Sequence, residues 1–285
     1  MQRLQIRLTI IISILLALLL IFDATFFYGM TITPNQLKVN YQTLKSELIP
    51  ENMTDKTIVY FTDLQYGQFE NKERTKKVFN QIKELNPDIL IFGGDLFDTD
   101  TKLTKKNIEF IQSCLSSIEA PLGKYAVWGE KDTLDETRKS EISTLYKNAQ
   151  VEVLDNSHVS LANQSKNGIR LIGLSNKKGV KSATENISNK TYNLLVTHQP
   201  DNLTSEKLAS SSISYAMSGH AHATQITYPL LGPYRKDKGS TDLNLSNRED
   251  LSFPYLLSTG VGCTHVNVRY NAKPEIHYFI LKTKK

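Results

Sequence analysis

Cysteine is nearly absent from this 285-residue chain, with Cys114 and Cys263 the only two. Neither belongs to a C-x-x-C pair, which excludes a zinc ribbon and a thioredoxin-like redox motif. Cys114 falls on the apolar face of an expected helix and reads as a core residue, and nothing in the spacing calls for a disulfide. Charge of one sign is missing as well. The 34 Lys and Arg and 29 Asp and Glu are scattered along the chain, so no basic stripe marks a groove and no nucleic-acid partner is expected. No internal repeat or low-complexity tract interrupts the sequence.

Long apolar runs are confined to the start. Residues 8–22 (LTIIISILLALLLIF) carry no charge and follow Arg3 and Arg7. Asp23 interrupts the run, and residues 24–28 resume it with Phe26, Phe27 and Tyr28, aromatics suited to a membrane interface. A span needs about 20 residues, reached by counting through Tyr28 with Asp23 near the headgroups. A cleaved signal peptide has a similar apolar core, but no A-x-A-like site follows this one. Residues 1–30 are therefore expected to be an uncleaved single-pass anchor in the cell membrane. Arg3 and Arg7 place the N-terminus inside and the rest of the chain outside the cytoplasm. Residues 31–55, with Pro34 and Pro50, read as a connector, and residues 56–285 as one well-buried domain.

From Thr57 onward short apolar runs alternate with helical periodicity. Residues 58–61 and 88–92 read as strands, and Val78, Ile82 and Leu85 lie on one helical face between them. Ile108, Ile111, Leu115 and Ile118 repeat at helical spacing before a third strand at 125–128. This βαβαβ beginning implies α/β architecture with parallel strands. The second half is richer in strands: 151–154, 159–161, 169–172, 193–197 and 214–217, with 255–257 and 276–281 expected to pair. Residues 228–250 form a long polar stretch, and loops of that length near a site are more often functional than idle.

Five polar islands follow these strands. They are Asp63-Leu64-Gln65, Gly94-Asp95-Leu96-Phe97-Asp98, Gly129-Glu130-Lys131-Asp132, Thr197-His198 and Gly219-His220-Ala221-His222. Strand ends are where oxygen and nitrogen ligands from distant parts of a chain can converge. Carboxylates and imidazoles suit Mn, Fe or Zn, and a bridged pair of such ions can activate water for in-line displacement at phosphorus. In an extended segment, period-two spacing puts the rings of His220 and His222 on one side.

In type and order the islands resemble the calcineurin-like metallophosphoesterase family, whose pattern is D-x-H, G-D-x-x-D, G-N-H-D, H and G-H-x-H. The likeness extends to Gln225, as in G-H-x-H-x-x-Q, and to residues 258–269, similar to its bacterial membrane-anchored branch. The resemblance implies a four-layer αββα sandwich of two mixed β-sheets flanked by helices, beside one N-terminal transmembrane helix. It implies two divalent ions, Mn, Fe or Zn, with Asp63, Asp95 and His222 on the first and Asp95, His198 and His220 on the second, Asp95 bridging.

Three positions depart from the pattern. Gln65 replaces a histidine ligand of the first metal, with a neutral carbonyl better suited to harder ions. Glu130 replaces an asparagine ligand of the second. Lys131 replaces the histidine that protonates the leaving oxygen, leaving an ammonium that can still neutralise phosphate charge. Lys131 and Asp132 are the expected catalytic residues, and Asp132 is expected to pair with Lys131. Asp98 reads equally as a partner of these groups or as a turn residue. The implied activity is hydrolysis of a phosphoester, mono- or diester, on a lipid- or sugar-linked envelope substrate. The alternative is a catalytically silent protein that keeps the fold as an envelope binding or regulatory module.

Overall fold

Strands apolar on both faces can be buried only between layers, and the core strands of this chain are of that kind. A computed structural model describes residues 2–220, 225–228, 232–233 and 237–284. In chain order its elements are α1 (Gln2–Phe27), β1 (Lys38–Ser46), β2 (Thr57–Phe61), α2 (Lys72–Leu85), β3 (Ile89–Phe92), α3 (Lys105–Ser116) and β4 (Lys124–Ala126). There follow α4 (Glu136–Asn148), β5 (Val151–Val153), β6 (Ser157–Leu161), β7 (Ile169–Leu174), α5 (Val180–Ala183), β8 (Asn193–Thr197), α6 (Glu206–Ala209) and β9 (Tyr215–Ser218). The last are β10 (Thr227–Tyr228), β11 (Gly232–Pro233), β12 (Tyr255–Leu257) and β13 (Glu275–Thr283).

One sheet has the order β1-β13-β2-β3-β4-β5 and the other β12-β9-β8-β7-β6, with β10 and β11 a separate pair. Strands β2 to β5 are mutually parallel, as are β7, β8, β9 and β12. Strand β13 runs antiparallel to β2 and β6 antiparallel to β7, which makes both sheets mixed. Ile58, Tyr60, Ile89 and Ile91 of the first sheet share one core with Leu171, Leu194, Val196 and Met217 of the second. Their alternates Val59, Phe61, Leu90 and Phe92 pack on Phe79, Ile82, Ile111 and Tyr146 of the helices. Ile172, Leu195 and Ala216 pack outward on Val180, Ala183 and Leu208. Four layers result, because period two sends successive side chains to opposite faces. Each such large side chain, fully buried, contributes about 1.5–3 kcal/mol.

Helix ends follow local chemistry. The Asn71 side chain accepts from the N–H groups of Glu73 and Arg74 to open α2, and Asn86, left-handed at φ 44°, closes it before Pro87. Thr104 and Asp135 cap α3 and α4 in the same way.

Two expectations change. Residues 38–46, inside the expected connector, form an edge strand paired with β13 along its length. Its exposed face carries polar residues, so the apolar signal of a buried strand is weak there. Residues 255–257 and β13 do not pair with each other but lie in different sheets. Short apolar runs show strand character without naming the partner. At the N-terminus, α1 spans 26 residues and buries none of them. At 1.5 Å per residue it is about 39 Å long, enough for a hydrocarbon core of about 30 Å, a length and composition shared by membrane spans and signal sequences. The chain joins the domain at Gly29, which is buried beside Val268 and accepts a 2.9 Å hydrogen bond from the Arg269 N–H.

Candidate metal centre

Parallel strands end on the same side of a sheet, and here both sheets bring their C-terminal ends to one rim. Asp63 follows β2, Asp95 β3, Glu130 β4, His198 β8 and His220 β9. Backbone bonds lace these turns together, from Asp63 N to Gly94 O at 2.9 Å, Gln65 N to Asp95 O at 3.0 Å and Gly219 N to His198 O at 3.1 Å. Asp63, Gln65, Asp95 and His220 have φ of 56°, 52°, 61° and 55°. Left-handed non-glycine residues are uncommon, and their gathering at one spot marks a functional site. Gly94 and Gly129 permit the close approach: at φ 96°, a Cβ on Gly94 would lie 2.9 Å from His198 Nδ1, and one on Gly129 would strike the Asp95 carboxylate.

The ligand-type atoms of Asp95, Glu130, His198 and His220 all lie within 4.8 Å of one another. His198 Nδ1 sits 2.7 Å from the Gly93 carbonyl and His220 Nε2 2.8 Å from the Lys238 carbonyl. A carbonyl only accepts, so each ring carries its proton there and turns a lone pair inward. Those two inward nitrogens are 3.2 Å apart, at 3.1 Å (His198) and 3.0 Å (His220) from Glu130 Oε2. With both rings neutral, no donor reaches that buried oxygen. Acceptors this close repel one another unless a cation lies among them. Two imidazoles and two carboxylates fit a divalent metal of the Mn, Fe or Zn type.

The charge balance points the same way. Burial disfavours a charged His198, yet the carboxylates of Asp95, Asp63 and Glu130 outweigh it and hold the pKa well above the imidazole range. Burial and Asp95 push the Glu130 carboxyl up, while His198 and His220 pull it further down, below the usual carboxylate range. The site therefore attracts positive charge strongly. Asp63 lies 3.9 Å from His198 Nε2 through Oδ1, and its Oδ2 accepts from Thr62 Oγ1 at 2.8 Å and from the His220 N–H at 3.0 Å. His220 lies past the end of β9 and is left-handed at φ 55°. His222 itself lies outside the described residues.

Gln65 and Lys131 form a linked pair. Lys131, only 7% exposed, donates from Nζ to Gln65 Oε1 at 2.7 Å and to Thr264 Oγ1 at 2.9 Å. The Gln65 amide nitrogen donates in turn to Asp95 Oδ2 at 2.8 Å. Because an ammonium only donates and a carboxylate only accepts, this chain sets the amide orientation. The Gln65 carbonyl thus faces Lys131. Lys131 is ion-paired with Asp98 at 3.5 Å, and the same Asp98 oxygen accepts from the Thr99 N–H at 2.9 Å, so Asp98 is at once a partner of Lys131 and a turn residue. The expected Asp132 partnership is corrected: Asp132 is wholly buried and accepts from the N–H groups of Asp95 (2.9 Å), Leu96 (2.8 Å) and Gly129 (3.1 Å). Three backbone donors occupy its oxygens, so it builds the turn that carries Asp95. Burial and the nearby Asp95 charge raise its pKa to about 7 against the pull of those N–H groups.

Two further supporting residues, Arg138 and Asp201, gave no sequence signal. Buried Arg138 donates to the carbonyls of Lys131 (2.6 Å), Asp98 (2.8 Å), Thr101 (3.1 Å) and Phe97 (3.2 Å), tying two site loops together. The Asp201 carboxylate gathers Thr241, Asp242 and Leu243 through four bonds of 2.9–3.0 Å. It thereby steadies the stretch that brings the Lys238 carbonyl to His220. Gln225, quoted above from the family pattern, accepts from Thr264 N at 3.1 Å and donates to the carbonyls of Thr264 and Val266 at 2.9 and 3.0 Å. A cleft of about 310 Å³ opens beside Glu130 and His198, walled by Trp128, Lys139 and Asp155. A larger hollow of about 750 Å³, lined by Thr57, Asp88 and Lys124, lies at the opposite strand ends, away from these ligands.

Comparison with known proteins identifies the family. The model of the calcineurin-like phosphoesterase family matches residues 56–224, more than half of the chain. The metallophosphoesterase YkuE of Bacillus subtilis is 26% identical over 265 residues, covering 90% of this chain and 89% of that one. A metallophosphoesterase of Aquifex aeolicus is 24% identical over 87% of this chain and 93% of its own length. A transmembrane protein with a metallophosphoesterase domain from Danio rerio is 24% identical, with 71% of this chain and 48% of that protein covered. Among solved structures, a dimetal phosphatase from Danio rerio has a TM-score of 0.46 at 14% identity, covering 73% of this chain and 88% of that one. With the five islands in order, each just past a strand, and more than half of its length matched, this chain belongs to the calcineurin-like phosphoesterase family.

Proposed function

We propose that this chain is a membrane-anchored, metal-dependent phosphoesterase acting outside the cytoplasm on an envelope-associated substrate, using two divalent ions of the Mn, Fe or Zn type. The observation that carries the reading is the convergence of two inward imidazole lone pairs on the carboxylates of Asp95 and Glu130, in a chain of this family. Asp95, Glu130, His198 and His220 would hold one ion, and Asp63, Asp95 and His222 the other. When bound, such a pair supplies an activated water and neutralises phosphoryl charge.

The remaining work falls to the protein. The Gly93 and Lys238 carbonyls keep both imidazoles in the tautomer that faces the site. Asp132 fixes the backbone turn that presents Asp95. Lys131 supplies positive charge beside the carboxylates through an ammonium already engaged by Gln65 and Thr264, a role of charge stabilisation more than of proton donation. The anchor reading of α1, with Arg3 and Arg7 inside, supports a substrate among lipid- or sugar-linked phosphoesters.

Full-length protein in detergent tests this reading. Mn, Fe or Zn is expected to copurify, and hydrolysis of bis-p-nitrophenyl phosphate to stop on chelation and return on adding metal. A metal-free protein inert with every ion would overturn it in favour of the silent envelope module, which the engagement of the Gln65 carbonyl by Lys131 would then explain.

A further inference from the structure

Beyond residue 32, only Tyr41, Leu134 and Val266 are large exposed hydrophobics among the described residues. Single exposed apolar side chains are ordinary, so position decides their meaning. Leu134 is 50% exposed and lies in the loop that carries Glu130 and Lys131. Val266 is 42% exposed, in the loop whose Thr264 receives the Lys131 ammonium at 2.9 Å. Leu134 directly follows Thr133, which lines the cleft beside Glu130 and His198, and Val266 is two residues from the Thr264 that meets Lys131, so both loops border the metal centre.

Neither is a slack loop tip. The Gln225 amide holds the carbonyls on either side of His265, so Val266 is presented by an ordered turn. Leu134 precedes Asp135, the cap of α4. A hydrophobic residue there usually packs on the fourth helical residue, but that residue is Lys139, so the usual structural partner is absent.

The same loops receive the anchor. Gly29 is buried beside Val268, its carbonyl bonded to the Arg269 N–H. Arg74 bridges Asn35 at 3.2 Å and Asn267 at 2.8 Å. Thus Val266 sits within three residues of the point where α1 joins the domain. Arg74 and Lys77 of α2 line a hollow at that junction with Asn35 and Asn267, Glu73 being the one acid there, a charge suited to an anionic leaflet.

We propose that the mouth of the metal centre faces the leaflet through which α1 leaves the membrane, that Leu134 and Val266 enter its interface, and that the substrate phosphoester is borne by a lipid of that leaflet. Only the last clause rests on the phosphoesterase reading. A lipid headgroup phosphate then reaches the ligands without leaving the bilayer surface, and a soluble phosphoester gains nothing from the rim.

The test places the full chain in nanodiscs of phosphatidylcholine and phosphatidylglycerol, with or without brominated acyl chains. Trp128 is the chain's one tryptophan and sets the background. Leu134→Trp and Val266→Trp are expected to lose emission to the brominated lipid, and Glu119→Trp, at the far pole, to behave as wild type. Absence of quenching at both rim positions would overturn the orientation. Next, p-nitrophenyl hexadecyl phosphate in the disc is compared with bis-p-nitrophenyl phosphate in water. Leu134→Ser with Val266→Ser removes most of the apolar carbon of both side chains from the interface and should slow the lipid probe about tenfold or more, and leave the soluble one unchanged. Equal rates on both would refute the lipid clause. A protein inert on both probes would overturn the phosphoesterase reading and that clause together, while the quenching still decides which way the mouth faces.

Discussion

Replacing Lys131 by methionine keeps a side chain of similar length but removes its charge, and the structure sets the consequences. Two charge-assisted hydrogen bonds vanish, to Gln65 Oε1 and Thr264 Oγ1, each worth about 1.5–3 kcal/mol for a charged donor. Asp98, with its side chain 15% exposed, also loses its partner at 3.5 Å. Methionine recovers part of this by filling the space, so a net loss of about 3 kcal/mol is expected, tolerable within the 5–15 kcal/mol typical of folded proteins. The larger effect is on the site. Without the ammonium, the Gln65 carbonyl loses the bond that orients the amide toward Asp95 Oδ2. Metal affinity should fall about 10–100-fold, the range for lost support of a ligand. Turnover at saturating metal should fall about 10²-fold or more, the scale of losing one charge-stabilising donor. Thermal melting, competition with a chromophoric chelator and kcat on bis-p-nitrophenyl phosphate measure the three effects separately. Lys131→His alone should not rescue activity, because Glu130 and Gln65 stay matched to an ammonium; Gln65→His, Glu130→Asn and Lys131→His together should. Unchanged metal affinity and kcat in Lys131→Met, in a protein otherwise active, would refute the linkage.

Asp201→Asn should weaken the hold on residues 241–243 and so loosen the Lys238 carbonyl on His220; a loss of metal affinity of about tenfold is expected, measured by chelator competition, and an unaltered affinity would mean that the loop keeps His220 in place without it. Burial raises the Glu275 carboxyl, but His277, the Thr259 N–H and Asn40 outweigh it and bring the pKa to about 2 from 4.5. The folded state thus binds this proton more weakly than the unfolded chain, and the stabilisation is complete above about pH 5 and lost as pH falls toward 2. At about 1.4 kcal/mol per pKa unit it is on the order of 3 kcal/mol, so melting of Glu275→Gln should depend less on pH between 5 and 2 than that of wild type; parallel curves would contradict the assignment.

Much of the fold was legible in local pattern. Continuous apolar runs at 58–61, 89–92 and 193–197 could be satisfied only by burial on both faces, and the alternation with helical periodicity implied parallel crossovers. Asn71 and Pro87 marked the ends of α2 by their own chemistry. The polar residues after those runs had to lie at strand ends, so the sequence was enough to nominate Asp63, Asp95, Glu130, His198 and His220. It also showed which positions depart from the family pattern.

Tertiary structure decided what those residues do to one another. Strand β1 has too few apolar residues to announce itself, and it exists because β13 offers an unpaired edge. The pairing of Gln65 with Lys131, Asp132 with three backbone N–H groups and Arg138 with four carbonyls depends on contacts between turns far apart in the chain. Residue identity limits which hydrogen bonds a group can make, and only the packed arrangement selects among them. The same holds for Leu134 and Val266: in sequence they are two unremarkable apolar residues, and their exposure, in the loops that carry Lys131 and its partner Thr264, comes from the way those loops converge. Local pattern sets which groups seek burial, water or charge, whereas their partners are fixed by distances that exist only once both sheets have closed on a common core.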